Sequence, residues 1–186
     1  MRVEPSSLPD VLILTPRRFG DARGWFSETW NAAAMAGAGL ELPFVQDNHS
    51  FSARQGTLRG LHFQAPPKAQ AKLVRCTRGA IRDVAVDIRA GSPTFRQWVA
   101  VDLSAEDGRQ LLIPAGFLHG FLTLTDETEV QYKCTDFYSP DHDRSIRWDD
   151  PSIGIDWGID APILSDKDAQ APFLATAGTP FVWGAA

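Results

Sequence analysis

The sequence predicts an all-β protein, and a jelly roll is the favoured architecture. Ten short segments have the length and composition of β-strands, and turn residues separate them. Glycines punctuate these segments at the spacing that is typical of a sandwich or a barrel. The predicted strands cover residues 11–15, 24–30, 44–52, 58–64, 71–76, 80–88, 97–103, 109–114, 119–124 and 129–134.

Side-chain alternation supports the strand prediction. Val84, Val86 and Ile88 occupy every second position of one predicted strand, and residues 97–103 repeat the pattern. Because successive side chains of a strand point to opposite faces, this spacing places each apolar set on one face of a sheet.

Two short helices are expected outside the strands. In "NAAAMAG", Asn31 is a suitable N-cap and Gly37 a stop signal. In the Pro- and Ala-rich tail, residues 162–186, "LSDKDAQ" has the composition of a loop that opens a second helix. No repeat or long linker interrupts the chain, so residues 1–186 are expected to form one domain.

The composition indicates a globular protein of the cytoplasm. The chain is 44% hydrophobic and 22% charged, which is the balance of a folded domain. A net charge of −5 offers no basic excess to a nucleic acid. Cys76 and Cys134 are too few for a disulfide framework, and no apolar run reaches the length of a signal-peptide core or a membrane span. We therefore expect a cytoplasmic protein with neither a nucleic-acid nor a membrane partner.

Two histidines on predicted strands, His62 and His119, raise the question of a metal site. "PAGFLH" has the P-x-G-x-x-H spacing of the second cupin motif, and "GTLRGLH" has the G-x5-H spacing of the first. Metal-binding cupins continue with a second histidine and a glutamate, but here Gln64 stands two residues after His62. A divalent ion needs three or four N, O or S donors, so we expect no metal.

Nine segments, taken in order along the chain, match one known family. They are "DARGWFSE" (21–28), "FVQDNHS" (44–50), "LRGLHFQ" (58–64), "KLVRCTRG" (72–79), "DVAVDIR" (83–89), "SPTF" (92–95), "IPAGFLHGF" (113–121), "YKCTDFYSP" (132–140) and "LSDKD" (164–168). Each alone is a weak signal, but nine in order are a strong one. The chain resembles the dTDP-4-dehydrorhamnose 3,5-epimerases, which are cupin-fold enzymes of nucleotide-sugar biosynthesis that use no cofactor.

The resemblance implies a catalytic set for epimerisation beside a ketone. Such a reaction removes a proton, stabilises an enolate and returns a proton to the opposite face. By resemblance, His62 is the base and Asp168 its carboxylate partner. Lys72 holds the developing oxyanion and Tyr132 is the proton donor on the other face. Histidine suits the first task because its pKa of ~6.5 leaves it largely neutral at pH 7. We also expect Lys72 to favour the phenolate of Tyr132.

Each of these four residues, taken singly, also has an ordinary structural explanation. His62 would be a satisfied strand histidine, and Lys72 a solvated charge. Tyr132 would be a core aromatic residue with its hydroxyl in contact with water, and Asp168 would be a helix cap. Agreement along the whole chain favours the catalytic interpretation.

The resemblance also implies the residues that bind the dTDP-sugar. Arg59 makes independent sense, because a guanidinium can grip phosphate oxygens with two hydrogen bonds. A homodimer with strand exchange is implied, in which strands within residues 1–50 are shared and the first three residues of the set reach the neighbouring subunit. The implied set is Arg23, Phe26, Glu28, Gln46, Asn48, Arg59, His119, Tyr138, Asp143 and Lys167.

Two departures from the family pattern bear on the substrate. Asp143 stands where the family usually has glutamate, and Ala71 replaces a common glycine before Lys72. The implied reaction converts dTDP-4-dehydro-6-deoxy-D-glucose into dTDP-4-dehydro-L-rhamnose by inverting both carbons beside the ketone. One alternative is a single-carbon 3-epimerase of another dTDP-deoxysugar pathway. The other is a non-catalytic sugar-nucleotide binding protein, which would not need the complete catalytic set.

Overall fold

A computed structural model describes residues 1–184 of the chain and shows β-strands connected mostly by short turns. The strands are β1 (Arg2–Pro5), β2 (Leu12–Thr15), β3 (Arg18–Asp21), β4 (Gly24–Ser27), β5 (Gln46–Ser52), β6 (Leu58–Gln64), β7 (Lys72–Arg78), β8 (Ala80–Asp87), β9 (Trp98–Ser104), β10 (Gln110–Ile113), β11 (Phe117–Thr123), β12 (Thr128–Cys134) and β13 (Asp143–Ser145). The helices are α1 (Ala32–Gly37), α2 (Asp166–Ala169) and α3 (Leu174–Ala177), and a 3-10 turn spans Pro140–His142.

Two antiparallel sheets face each other, which confirms the predicted all-β fold class. One sheet has the strand order β1-β2-β10-β7-β12-β5, and the other has the order β13-β6-β11-β8-β9. Strands β3 and β4 form a separate hairpin. Apart from β1–β2 and β8–β9, the neighbours in each sheet are not consecutive along the chain, which is the pattern of a jelly roll.

The main core lies between the two sheets. Val74 and Val130 from the first sheet pack with Val101, Phe117 and other residues of the second. These side chains alternate along their strands with residues that face outward. The core closes one end of the space between the sheets, and polar side chains line the other end.

Each sheet is also covered on its outer face. Val84 and Val86 pack beneath the C-terminal segment, where they meet Ile146, Trp157 and Leu174. Residues 83–87 of β8 are therefore buried on both faces of the strand. On the other sheet, the outward residues pack against α1 and the chain around it, a layer formed by Leu14, Leu73, Leu112 and Met35.

Both predicted helices are present and begin at side-chain caps. The Asn31 side chain accepts a hydrogen bond of 3.0 Å from the Ala34 N–H, and α1 ends at Gly37 as expected. Ser165 caps α2 by accepting 3.2 Å from the Asp168 N–H. Because Ser165 fills this role, the Asp168 carboxylate is not needed as the cap. No helix among residues 1–184 has the length and apolar character to cross a membrane.

Strands β6 and β11 approach unusually closely at Gly60. A Cβ on Gly60 would lie 2.6 Å from the Gly120 Cα, and the Gly60 φ of +134° favours glycine. The ladder register shifts at the same point, between His119 and Phe121. The pairing places His62 directly opposite His119.

Candidate active site

A cavity of about 390 Å³ opens between the sheets at the polar end. All four residues predicted to be catalytic line it, although they come from three strands and one helix. These are His62 of β6, Lys72 of β7, Tyr132 of β12 and Asp168 of α2. A second opening of about 360 Å³ shares His62, Lys72 and Tyr132 with the first.

His62 and Asp168 form a close pair across the cavity wall. The His62 Nε2 lies 2.6 Å from the Asp168 Oδ1, and Asp168 is only 3% exposed. Burial raises the pKa of Asp168, but hydrogen bonding and charge from His62, with a hydrogen bond from Ser165, outweigh it and hold this pKa below its usual value. An ionised carboxylate favours the proton on Nε2, which leaves the His62 Nδ1 with the free lone pair of a base.

A second histidine–carboxylate pair lies beside the first. The His119 Nε2 is 2.7 Å from the Asp83 Oδ1, and both side chains are buried. Burial lowers the pKa of His119. The charge and hydrogen bond of Asp83 oppose this change, while Lys72 and His62 lower the pKa further. The imidazole of His119 is therefore neutral at pH 7 and presents a fixed tautomer to the cavity.

The family motifs predicted His119 as a site residue but not its partner Asp83. Its other oxygen, Oδ2, is buried and has no hydrogen-bond partner among the described residues. The alternation of side chains along β8 could have identified it. Asp83 lies between Ile81 and Ala85 on the strand face that packs into the main core. An acidic residue at such a position needs a partner, and His119 provides it.

Lys72 lies at the start of β7 beside both openings. Burial lowers the pKa of its amine, and the carboxylates of Asp143 and Asp83 only partly oppose this. A lowered pKa makes its ammonium a better proton and hydrogen-bond donor than a solvated lysine.

Tyr132 packs against the main core with its ring and lines the cavity. Burial raises its pKa, while the charge of Arg59 opposes the change. The expectation that Lys72 lowers this pKa is therefore wrong, because desolvation of the phenolate dominates. The phenol is protonated at neutral pH and remains able to donate.

Arg59, Gln46 and Asn48 form a polar wall on β5 and β6. The Arg59 guanidinium donates to the Phe51 carbonyl at 3.0 Å and to the Ser52 Oγ at 3.2 Å. The Gln46 amide donates to the Asn48 side chain at 3.1 Å. Arg59 lines the first opening, and both amides line the second.

Tyr138, Asp143 and Lys167 meet at the mouth of the second opening. The Asp143 Oδ2 accepts from the Lys167 ammonium at 2.5 Å and from the Tyr138 hydroxyl at 3.4 Å. The Tyr138 residue is 57% exposed, so the contact with Asp143 is a weak restraint on its ring.

Within one chain, Arg23, Phe26 and Glu28 do not line either opening of the described structure. Arg23 pairs with Asp21 of the same hairpin at 2.6 Å. Phe26 is 69% exposed, and Glu28 accepts a hydrogen bond from the Asn31 side chain at 3.1 Å. Their role in binding stays a prediction that requires a second subunit.

No group of three or more His, Cys, Asp or Glu side chains is placed to hold a metal ion between residues 1 and 184. His49 pairs with Glu129 and His142 contacts Ser139, and neither histidine lines the openings beside His62. Independence from metal stays a prediction, which activity measured after prolonged chelation can check.

Comparison with known proteins identifies the family. A family model described as dTDP-4-dehydrorhamnose 3,5-epimerase matches residues 5–176. A protein of that name from Pseudomonas aeruginosa is 54% identical over 95% of this chain and 98% of its own length. The crystal structure of a Bacillus anthracis dTDP-4-dehydrorhamnose 3,5-epimerase with TDP and PPi bound is 50% identical with a TM-score of 0.91, covering 93% of this chain and 99% of the other.

A solved relative with a different outcome is also similar. The 3'-monoepimerase from Streptomyces bikiniensis, in complex with dTDP-quinovose, is 39% identical with a TM-score of 0.87, covering 93% of this chain and 88% of the other. The family model and the high-identity relative span nearly the whole chain, which confirms the resemblance read from the nine motifs. The chain belongs to the dTDP-4-dehydrorhamnose 3,5-epimerase family.

Proposed function

We propose that this protein is a dTDP-4-dehydrorhamnose 3,5-epimerase, an isomerase that acts on a nucleotide sugar. It inverts both carbons beside the ketone of dTDP-4-dehydro-6-deoxy-D-glucose and yields dTDP-4-dehydro-L-rhamnose. The observation that carries this proposal is the hydrogen bond of 2.6 Å between His62 and the buried Asp168, in a cavity that Lys72 and Tyr132 also line.

His62 is the general base in this proposal. Its Nδ1 removes a proton from the carbon beside the ketone, and the ring becomes an imidazolium. Asp168 stabilises that charge and keeps the ring in one orientation. The lowered pKa of Asp168 supports this role, because the carboxylate stays ionised through the catalytic cycle.

Lys72 stabilises the enolate that forms when the proton leaves. Negative charge develops on the ketone oxygen, and a cation in a poorly solvated cavity stabilises it more than water would. Neutral His119, fixed by Asp83, is suited to a hydrogen bond with the sugar, and its neutrality avoids adding a second cation next to His62.

Tyr132 returns the proton on the opposite face. One base cannot both remove and deliver a proton on opposite faces of the same carbon, so a separate acid is necessary. The raised pKa of Tyr132 keeps the phenol protonated until the enolate requires its proton.

The remaining residues hold the nucleotide. Arg59 binds pyrophosphate oxygens, while Gln46 and Asn48 supply amide groups beside the sugar-nucleotide. At the mouth, Tyr138 and Lys167 close over the substrate, and Asp143 joins them in place of the usual glutamate. The exposed aromatic hairpin supports a strand-exchanged homodimer in which the partner supplies its Arg23, Phe26 and Glu28. We place this enzyme in the cytoplasm.

A single-carbon 3-epimerase is the second candidate. The similarity to the Streptomyces bikiniensis 3'-monoepimerase supports it, since that protein has the same fold at 39% identity. The relatives named as 3,5-epimerases have higher identity, 54% for the Pseudomonas aeruginosa protein, which favours double inversion.

Product analysis distinguishes the two. The protein is incubated with dTDP-4-dehydro-6-deoxy-D-glucose in D₂O, and proton NMR follows deuterium and configuration at both carbons flanking the ketone. Double epimerisation predicts exchange and inversion at both positions. Inversion beside the ketone at one carbon only would establish the 3-epimerase instead. Nucleotide binding without exchange at either carbon would leave a non-catalytic binding protein.

A further inference from the structure

Gln64 is a buried amide two residues from the proposed base. It ends β6 and is only 4% exposed. Its Nε2 donates to the Lys68 carbonyl at 2.5 Å and to the Phe137 carbonyl at 3.1 Å, and its Oε1 accepts from the Ser139 N–H at 2.8 Å. Both amide hydrogens and the carbonyl oxygen are thus engaged with main-chain groups.

These bonds hold a segment that has no strand or helix of its own. Residues 137–139 follow β12, and their main-chain groups have no ladder partner. Gln64 bonds to the residues on both sides of Tyr138, and the Gln46 Oε1 accepts from the Tyr138 N–H at 2.8 Å. Two glutamines on neighbouring sheets therefore fix the main chain of Tyr138.

The Tyr138 side chain has little else to hold it. The residue is 57% exposed, and its hydroxyl makes one long contact of 3.4 Å with Asp143. The ring nevertheless lines the opening that His62, Lys72 and Tyr132 share. Its place there depends on the main chain that carries it.

We propose that Gln64 is a positioning residue that acts through Tyr138, by holding residues 137–139 so that the Tyr138 ring stays over the mouth of the active site. The kinetic part of this inference rests on the proposed epimerase function. An amide suits the task because it donates and accepts at once, whereas the histidine of metal-binding cupins at this position binds a metal instead.

Gln70 offers a matched control. It lies in the connection between β6 and β7, and its Nε2 donates to the Asp136 carbonyl at 2.7 Å. This bond also reaches the chain that follows β12, but it ends at Asp136, one residue before the segment 137–139 that Gln64 holds. A methionine at either position keeps a similar side-chain volume and removes the hydrogen bonds.

The experiment compares Gln64→Met and Gln70→Met, each alone and combined with Tyr138→Ala. Displacing a substrate-positioning group by ~1 Å can cost ~10²-fold, so we expect Gln64→Met to lower kcat/KM by about 10- to 100-fold. Gln70 also lines the second opening, so Gln70→Met serves as the control for hydrogen exchange and not for kcat/KM. In the Tyr138→Ala background, Gln64→Met should cause almost no further loss, because the group it positions is gone.

Hydrogen exchange supplies a readout that needs no activity. Gln64→Met should lose protection at the Ser139 and Tyr138 amides and keep it along β6, and Gln70→Met should keep both. If the wild-type protein proves inactive, the proposed function fails, but hydrogen exchange still tests whether Gln64 holds residues 137–139. Gln64→Asn, whose amide is one methylene too short, replaces Gln64→Met should the latter not fold.

Two results would overturn the inference. One is unchanged protection of Ser139 and Tyr138 in a folded Gln64 variant. The other is a kinetic loss of the same size in the wild-type and Tyr138→Ala backgrounds, since it would mean that Gln64 acts on His62 or another group.

Discussion

Among single residues, the buried carboxylate of Asp168 decides the chemistry of the His62 ring. It lies 2.6 Å from Nε2 and is ionised, so the opposite nitrogen is left to accept a proton. The sequence alone permitted Asp168 to be a helix cap, but Ser165 occupies that position. The structural alternative for Asp168 is thereby removed, and its bond to His62 accounts for an otherwise costly buried charge.

Replacing either member of this pair should be severe. His62→Asn removes the base and should lower turnover by ~10²–10⁴-fold, the usual cost of losing a general base. Asp168→Asn should also be strongly impaired, because an amide can hold the wrong imidazole tautomer. Turnover is measured beside dTDP affinity, which should change little. Near-normal turnover of a correctly folded His62→Asn protein would remove His62 from its role.

Two properties of single residues, the pairing of Asp83 and the pKa of Tyr132, could not be predicted from the sequence. The nine motifs led to the four cavity residues, because the match to a family identifies residues of one site without knowledge of their positions in space. They did not lead to Asp83, whose partner His119 lies 36 residues away. The wrong direction for the Tyr132 pKa has a similar cause, since burial of a side chain depends on the assembled sheets and cannot be read from its neighbours in sequence.

Among the elements, β6 was predicted with its observed bounds, and the other nine predicted strands differ by a few residues at their ends. Alternation and glycine turns sufficed for these. Three strands were missed, namely β1, β3 and β13. Strand β13 shows why, since "DRS" has poor strand propensity and forms only because it pairs with the edge of β6.

The end of β8 provides a prediction about stability. Asp87 is fully buried and accepts hydrogen bonds from Arg89 at 2.7 Å, Ser92 at 2.5 Å and Thr94 at 2.7 Å. Burial raises the pKa of Asp87, but these bonds outweigh it and lower the pKa to about 2. An unfolded aspartate has a pKa of ~3.9, so the folded state is favoured above that value, and this stability is lost as the pH falls toward about 2.

Urea unfolding of wild type and Asp87→Asn tests this. At about pH 5 wild type should be more stable, and the linkage part of the difference is about 2 kcal/mol. The difference in free energy of unfolding between the two proteins should decrease by about 2 kcal/mol as the pH falls to about 2. The reason is that protonated Asp87 no longer has a charge for Arg89 to stabilise. A gap that stays constant over this range contradicts the assigned pKa.

In the whole molecule, the β3–β4 hairpin is notable because contacts within one chain leave its aromatic side chains exposed. Trp25 is 60% exposed and Phe26 69% exposed, although both belong to a segment that matches the family. Neighbouring exposed aromatic side chains are typical of interaction surfaces. The resemblance predicts that this partner is a second copy of the chain, and within one chain Arg23 and Glu28 line neither opening.

Mixing inactive variants tests the shared site. In a mixed dimer of Arg23→Ala and His62→Asn subunits, one cavity would combine an intact His62 with an intact hairpin. Random exchange should therefore restore roughly a quarter of wild-type activity, since half of the dimers are mixed and each has one intact site.

The matched control mixes His62→Asn with Asp168→Asn. Both residues belong to the cavity of one chain, so neither site of the mixed dimer is intact and no recovery is expected. Absence of recovery with Arg23→Ala, despite proven mixed dimers, would mean that each chain supplies its own nucleotide contacts.

The central claim is that His62 removes a proton and Tyr132 returns one on the other face. The most direct test is the reaction of the Tyr132→Phe variant in D₂O. This change removes only a hydroxyl, so folding and dTDP binding should be nearly unchanged. Proton NMR then reports deuterium incorporation beside the configuration of the sugar. We predict that deuterium still enters, because His62 exchanges protons on its own face, while inversion is lost at one or both carbons. Inversion of both carbons at the wild-type rate would contradict the account, because a different group would then have to deliver the proton.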